Sequence, residues 1–204
     1  MKERRMKPKR RPFQRPLGQR RYRKRFIIAV EGAKTEPQYF AIFNNEQSVI
    51  QVQCLRGRHD SSPPQVLKRM ELWLDQEALL ASDEAWLVVD KDHWTEDQLT
   101  QLHAWAQTKV NYGFALSNPK FEYWLLLHFE DGNEVANSQN CTDRLKKYLP
   151  GFDKGIDSRK FTSAMMNDAI RRARQRDNPP CEDWPRTAGT TVYRLVERIH
   201  VPAC

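Results

Sequence analysis

The stretch that most constrains the fold is residues 26–40, FIIAVEGAKTEPQYF. Its first five residues are apolar and mostly β-favouring, and they lead directly into Glu31 and Gly32. A short apolar run that ends in a turn predicts a buried strand of a parallel sheet. Thr35 and Gln38 have the spacing of a capping box, which predicts that a helix starts there. We therefore expect Glu31 at the carboxyl end of a strand, the edge of an α/β sheet where ligands bind.

The same alternation of strand and helix continues along the chain. Further strands are predicted at 49–55, 84–90 and 112–116, and helices at 36–45, 62–80 and 95–110. The order β-α-β-α-β-α-β is typical of an α/β fold with a mostly parallel sheet flanked by helices. Beyond residue 117 the pattern becomes helical, with helices predicted at 120–130, 142–148, 160–176 and 190–200.

Charge is distributed unevenly and divides the chain. Residues 1–25 carry thirteen Lys or Arg and one Glu, a net charge of +12, whereas the remainder carries 21 basic and 25 acidic residues, a net charge of −4. Such a basic segment is typical of a disordered tail that binds polyanions, nucleic acid above all, although a merely solubilising tail is the alternative. We predict a disordered basic tail at 1–24, an α/β core at 25–117 and a helical C-terminal part at 118–204 that packs on the core.

The cysteines and the apolar segments bound the environment. The four cysteines, at positions 54, 141, 181 and 204, lack the spacing of a zinc site and fit a reducing compartment. No segment approaches the roughly 20 apolar residues of a membrane span. The apolar run after the basic segment is shorter than the roughly 7–15 residues of a signal-peptide core. We expect a cytoplasmic protein that does not bind membranes; an oligomer is compatible with the sequence.

Carboxylates follow two of the predicted strands. Glu31 ends the first, and Asp90 and Asp92 end the strand at 84–90. If the chain turns there, all three acids meet at one sheet edge, where their repulsion would be relieved by a hard cation with oxygen ligands, Mg²⁺ or Mn²⁺. The alternative is that the Asp residues cap the next helix and that Glu31 is merely solvated.

Several basic residues are candidates for binding substrate phosphates. Lys34 lies at a predicted helix start, where backbone N–H groups attract anions. Arg56, Arg58 and His59 lie in a loop that follows the second strand. A surface lysine and a solvated loop are the alternatives. His93 is a weak candidate for a general acid or base.

A second acidic candidate is Glu122, a carboxylate within the otherwise largely apolar segment FEYWLLLHF of a predicted helix. A buried carboxylate needs a partner. Glu122 either completes the metal site or pairs with an arginine of the 171–176 cluster. Lys120, just before this helix, is a further substrate-binding candidate. His128 is more typical of a core histidine than of a ligand.

Four motifs carry a resemblance to a known family. VEGAKTEPQYF, VVDKDHW, SNPKFEYWLLLHFE and TTVYRLVERI, within about residues 25–200, resemble the successive motifs of the RloB family. RloB-like proteins are associated with bacterial phage defence and abortive infection and are often encoded beside an AAA-type ATPase. Their core is similar to the Toprim fold of topoisomerases, primases and certain nucleases.

The resemblance assigns roles to the acids. It implies that Glu31 is the Toprim glutamate, that Asp90 and Asp92 are the Asp-x-Asp metal pair, and that Glu122 is an additional acid. One departure is that Glu36 lies about one residue late for the second acid that Toprim nucleases often carry behind the Glu-Gly turn.

The resulting hypothesis is a metal-dependent Toprim-type nuclease that cleaves DNA or RNA in anti-phage defence. Glu31 would act as general base or metal-associated acid, and an AAA-type ATPase is a possible partner. The main alternative is a non-catalytic subunit that binds nucleic acid or the ATPase, with a purely structural acid cluster. A nucleotidyl-transfer or primase-like activity is a third hypothesis.

Overall fold

A computed structural model describes residues 23–44, 48–57, 62–91, 94–152 and 155–200. It confirms the predicted α/β class, with a mostly parallel sheet flanked by helices. The strands are β1 Lys24–Val30, β2 Ile50–Leu55, β3 Glu84–Asp90, β4 Tyr112–Asn118 and β5 Gly189–Thr190. The helices are α1 Thr35–Ala41, α2 Pro63–Gln76, α3 Glu96–Ala106, α4 Phe121–Leu126, α5 Ser138–Tyr148, α6 Ser163–Arg176 and α7 Val192–His200, with a 3-10 turn at Ser158–Lys160.

The strand order creates a switch point in the middle of the sheet. The order is β2-β1-β3-β4-β5; the first four strands are parallel, and β5 pairs antiparallel with β4. From β1 the chain moves outward to β2, then crosses back over β1 to β3 and continues in the opposite direction. The carboxyl ends of β1 and β3 therefore border the crevice where open α/β sheets bind ligands.

Alternating side chains of β1 enter separate cores on the two faces of the sheet. Ile27 and Ala29 pack with residues of α2 and α3, whereas Phe26, Ile28 and Val30 pack with α1 and the helices that follow β4. All five side chains are fully buried. Burial on both faces explains why β1 is a continuous apolar run rather than an alternating one.

The helix-start predictions had mixed outcomes. At α3 the capping box is present, because Thr95 Oγ1 accepts from the Gln98 backbone N–H and the Gln98 side chain accepts from the Thr95 N–H. The box predicted at α1 is wrong. Thr35 is the first helical residue, and the preceding N-cap residue makes no side-chain cap bond. Gln38 Oε1 instead accepts from the backbone N–H of Ile156, 2.8 Å away.

The helical C-terminal part packs on the face of the sheet that α1 also covers. Residues of α4, α5, α6 and α7 share one continuous core cluster with β1 and α1. The two residues of β5 extend the sheet, where Thr190 pairs with Ser117. The basic segment at 1–22 lies outside the described residues. Within the described part of the chain, no helix has the length and apolar character needed to cross a membrane.

Candidate active site

Glu31 lies at the end of β1 and is held by groups from β3 and the loop beyond it. Its backbone N–H donates to the Val88 carbonyl at 3.1 Å. Its Oε2 accepts from the Asp90 backbone N–H, and its Oε1 accepts from the indole N–H of Trp94, both at 3.1 Å. The carboxylate is therefore fixed across the switch point between β1 and β3.

Glu36 turns back towards the same edge. The Gly32 N–H donates to Glu36 Oε1 at 2.8 Å, and the Glu36 residue is only 5% exposed. A Cβ atom at position 32 would lie 2.1 Å from Glu36 Oε2. Only glycine therefore leaves room at position 32 for this carboxylate to fold into the turn.

Asp90 and Glu122 complete a group of four acids. Asp90, at the end of β3, is partly buried, and Glu122 lies in the first turn of α4. Burial raises the pKa of Asp90 well above its usual value, and the charges of Glu36, Glu31 and Glu122 raise it further, while a backbone hydrogen bond from Phe121 lowers it. The first turn of α4 thus brings both a donor and an acid to the end of β3.

The pKa of Glu36 is also raised. Burial is the main cause, the hydrogen bond from the Gly32 N–H opposes it, and the charge of Glu122 adds to it. Glu36 and Asp90 are therefore costly to ionise beside their acidic neighbours. A cluster of acids of this kind either retains protons on some of its carboxyl groups or is neutralised by a bound cation.

The donor chemistry of this cluster suits a hard divalent cation, because every donor is a carboxylate oxygen. Among the residues that the structure describes, no three His, Cys, Asp or Glu side chains are placed to hold an ion together. Asp92, the predicted partner of Asp90 in the metal pair, lies outside those residues, as does His93. An ion would therefore need Asp92 or a shift of the described carboxylates.

The predicted phosphate-binding residues are spread around this edge. Lys34 and Arg56 are exposed, and Arg58 and His59 lie outside the described residues. Lys120 Nζ donates to Thr142 Oγ1 at 2.6 Å, which ties the approach to α4 against α5. The side chain of Lys120 is thus held by a hydrogen bond within the protein, and the phosphate contacts of all these residues stay a prediction.

Contacts of the arginine cluster at 171–176 and of His128 bear on the predictions for the segment that includes α4, while the metal role of Glu122 stays a prediction. Arg172 pairs with Asp131, and Arg174 pairs with Glu197. His128 is buried, with its ring nitrogens 3.2 Å from the Tyr39 hydroxyl and 3.1 Å from the Trp124 carbonyl. Burial lowers the pKa of His128 to about 4, as expected for a neutral core histidine.

Two residues at this edge were not predicted from the sequence to contribute to the site. Trp94 reaches Glu31 across 63 positions. Arg69 of α2 donates from Nη1 to the carbonyls of Val30 and Leu55, at 2.7 and 3.0 Å, and so binds the ends of β1 and β2. Neither contact has a local sequence pattern, since each depends on strands that meet only in the folded sheet.

One family model, described as RloB-like protein, matches residues 26–199 of the chain. The chain belongs to the RloB family. No curated protein and no solved structure matches it. The part that matches the RloB model includes Glu31, Glu36, Asp90 and Glu122 but excludes the basic segment. The acid cluster therefore lies within the RloB-like region.

Proposed function

We propose that this RloB-family protein hydrolyses phosphodiester bonds of DNA or RNA in a Mg²⁺- or Mn²⁺-dependent reaction at a Toprim-type site. The observation that supports the proposal is the convergence of Glu31, Glu36, Asp90 and Glu122 on the carboxyl edge of the sheet, at its switch point. Mutual repulsion there disfavours ionisation and favours binding of a divalent cation.

The acids have distinct tasks in this proposal. Asp90 and Asp92 would hold the cation, and Glu122 would add negative charge to the site. The bound ion would supply Lewis-acid polarisation of the phosphoryl group. Glu31 is oriented by its two donors, the Asp90 N–H and the Trp94 indole, so that it can accept a proton from an attacking water or contribute to cation binding.

Basic residues would supply the substrate contacts. Lys34, Lys120 and Arg56, together with Arg58 and His59, would contact phosphates on either side of the reacting group. The basic segment at 1–24 would raise the local concentration of nucleic acid through a salt-dependent, sequence-independent attraction. The RloB assignment suggests a role in anti-phage defence or abortive infection and an AAA-type ATPase as partner.

The proposal is tested by measuring metal binding and cleavage together. Calorimetric titration with Mg²⁺ and Mn²⁺ is compared for the native chain, Asp90→Asn and Asp92→Asn, and labelled DNA and tRNA are incubated with each protein. Asp143→Asn, an exposed acid on α5, is the control with the same charge change. We expect both replacements at the site to lose binding and cleavage together, and the control to keep both.

The same experiment separates the alternatives. Cleavage that persists in Asp90→Asn would overturn the assignment of the reaction to this site. A native chain that binds neither metal would overturn the metal-nuclease proposal and favour the non-catalytic nucleic-acid- or ATPase-binding subunit. Metal binding without cleavage would be followed by adding an AAA-type ATPase of the kind proposed as partner. If activity still fails to appear, the nuclease assignment is rejected.

A further inference from the structure

A second acidic surface lies at the opposite, amino edge of the sheet. It is a cleft of about 620 Å³ between the end of α2, the loop before β3 and the loop before β4. Its lining includes Glu71, Asp75 and Glu77 at one side and Trp105 and Tyr112 at the other. This acidic cleft is separate from the candidate active site, which lies at the carboxyl edge.

The acidic cleft carries uncompensated negative charge. Glu71, Asp75 and Glu77 are exposed, and the structure shows no ion pair between any of them and another described residue. Lys109 is the one basic residue of the lining, and its Nζ donates to the Tyr112 hydroxyl at 2.9 Å. Three carboxylates therefore face one ammonium group, which favours a cationic occupant.

The other side of the cleft is aromatic and apolar. The rings of Trp105 and Tyr112 stack with centroids 4.3 Å apart and an interplanar angle of 16°. Leu80, which also lines the cleft, is 49% exposed and adds apolar surface to this side. Aromatic faces next to carboxylates suit guanidinium groups, which pair with acids and stack on rings.

The chain enters the sheet beside this cleft. Arg25, the second residue of β1, donates from Nη2 to the carbonyl of Ala78 at 2.6 Å, and Ala78 lines the cleft. Its Nε also pairs with Asp83 at 3.0 Å. Residues 1–22, which precede this point, contain ten Lys or Arg and one Glu.

We propose that the acidic cleft binds the chain's own basic segment, residues 1–22. The segment carries a net charge of +9 (10 − 1), and its point of entry adjoins a cleft lined by three acids and one base. Each exposed ion pair is weak and salt-sensitive, but several of them on a tethered segment act together at high effective concentration. The inference is independent of the nuclease proposal, because it concerns the other edge of the sheet.

The test measures how fast trypsin cuts within residues 1–22 of the full chain, by mass spectrometry of the intact protein at low salt. The cleft variant Glu71→Gln/Asp75→Asn/Glu77→Gln is compared with the native chain and with a surface control that neutralises three acids elsewhere. That control is Glu134→Gln/Asp143→Asn/Glu182→Gln, all exposed residues.

A bound segment is cut only when it dissociates, so the rate reports its free fraction. We expect cleavage to be about three- to tenfold faster in the cleft variant than in the native chain or the control, given three weak pairs. High salt should make the three rates equal. Equal rates in all three proteins at low salt would overturn the proposal.

Cross-linking decides whose segment occupies the cleft. A carbodiimide that joins lysines to carboxylates is applied to a mixture of ¹⁴N- and ¹⁵N-labelled full chains. Links from Lys2, Lys7 or Lys9 to Glu71, Asp75 or Glu77 within one isotopic form are the expected result. Links between the two isotopic forms would show that a second copy supplies the segment, and links to other acids alone would show that it binds elsewhere; both outcomes reject the proposal.

Discussion

Replacing Asp90 by Asn should make the folded protein more stable in the absence of divalent cations. The pKa of Asp90 is raised by burial and by the charges of Glu36, Glu31 and Glu122. At neutral pH its ionised form therefore opposes folding. Asn keeps the shape, and its side-chain oxygen can still accept from the Phe121 N–H that contacts Asp90. Removing such an unfavourable buried charge typically raises the free energy of unfolding by about 0.5–2 kcal/mol.

The sign of the pH dependence follows from linkage. A carboxyl group whose pKa is higher in the folded than in the unfolded chain leaves stability unaffected below the unfolded pKa, which for Asp is near its ordinary value of 3.8. As pH rises from there towards the folded pKa, the native chain loses stability relative to Asp90→Asn. Above the folded-state pKa of Asp90, the difference in the free energy of unfolding between the native chain and Asp90→Asn stays constant. Urea unfolding at pH values from 4 to 8, followed by circular dichroism, measures this difference.

Mg²⁺ should reverse the order. A ligand that binds only the folded state stabilises it by about 2.7 kcal/mol at one hundred times its dissociation constant. The native chain should therefore overtake Asp90→Asn when the ion is added, whereas Asp143→Asn should follow the native chain throughout. If Asp90→Asn proves no more stable than the native chain at pH 7.5 without Mg²⁺, or if the difference does not depend on pH, the electrostatic reasoning is refuted.

Three further changes probe contacts around the sheet. Gly32→Ala should lower the free energy of unfolding by about 1–3 kcal/mol, because its methyl group collides with Glu36; urea unfolding measures this, and Glu36→Ala should rescue it. Trp94→Phe should weaken Mg²⁺ binding in calorimetry with little change in stability, because it removes one donor to Glu31. Burial raises the pKa of Glu84, but hydrogen bonds from three neighbouring side chains lower it more, so the net pKa is depressed. Glu84→Gln should therefore destabilise by about 1–3 kcal/mol at pH 7, and the loss should shrink as pH falls below about 4.5.

Each of these predictions has a contrary result. Unchanged stability in Gly32→Ala would mean that the turn opens without penalty. Unchanged Mg²⁺ affinity in Trp94→Phe would show that the indole does not position Glu31. A destabilisation by Glu84→Gln that is the same at pH 3 and pH 7 would mean that the loss is one of packing rather than of charge.

Strands β1, β3 and β4 were predictable because each contains a largely apolar run that ends in a turn. The strand predicted at 84–90 coincides with β3, and those at 26–30 and 112–116 lie within β1 and β4. Parallel strands buried on both faces leave this pattern in any sequence. By contrast, β5 has two residues and no pattern of its own, because it exists only through pairing with Ser117 and Asn118.

The candidate site was predictable where topology alone determines it. The prediction that Glu31 and Asp90 meet followed from their positions at strand ends, and the structure brings them into hydrogen-bond contact through the Asp90 N–H. The inward turn of Glu36 was not predictable, because it depends on the close packing of its carboxylate over Gly32. The contact of Trp94 with Glu31 depends on side chains far apart in sequence. The role of Asp92 stays a prediction.

The two acidic surfaces at opposite edges of one sheet lead to a final prediction, which rests on both proposals. If the basic segment binds the acidic cleft, it must leave the cleft before it can contact nucleic acid. The apparent nucleic-acid affinity is then reduced by the fraction of segments that are free. Neutralising the cleft by Glu71→Gln/Asp75→Asn/Glu77→Gln should raise the affinity by the same factor by which it speeds tryptic cleavage.

The surface control Glu134→Gln/Asp143→Asn/Glu182→Gln changes the net charge of the body equally, so it corrects for general attraction between the protein and the polyanion. Affinity is measured by fluorescence anisotropy with a labelled single-stranded oligonucleotide at about 50 mM salt, where such contacts are strongest. Near 0.5 M salt the difference between the two triple variants should vanish, since screening weakens the pairing in the cleft. Equal affinities of the two variants at low salt would show that the segment does not exchange between cleft and nucleic acid, even if it binds the cleft.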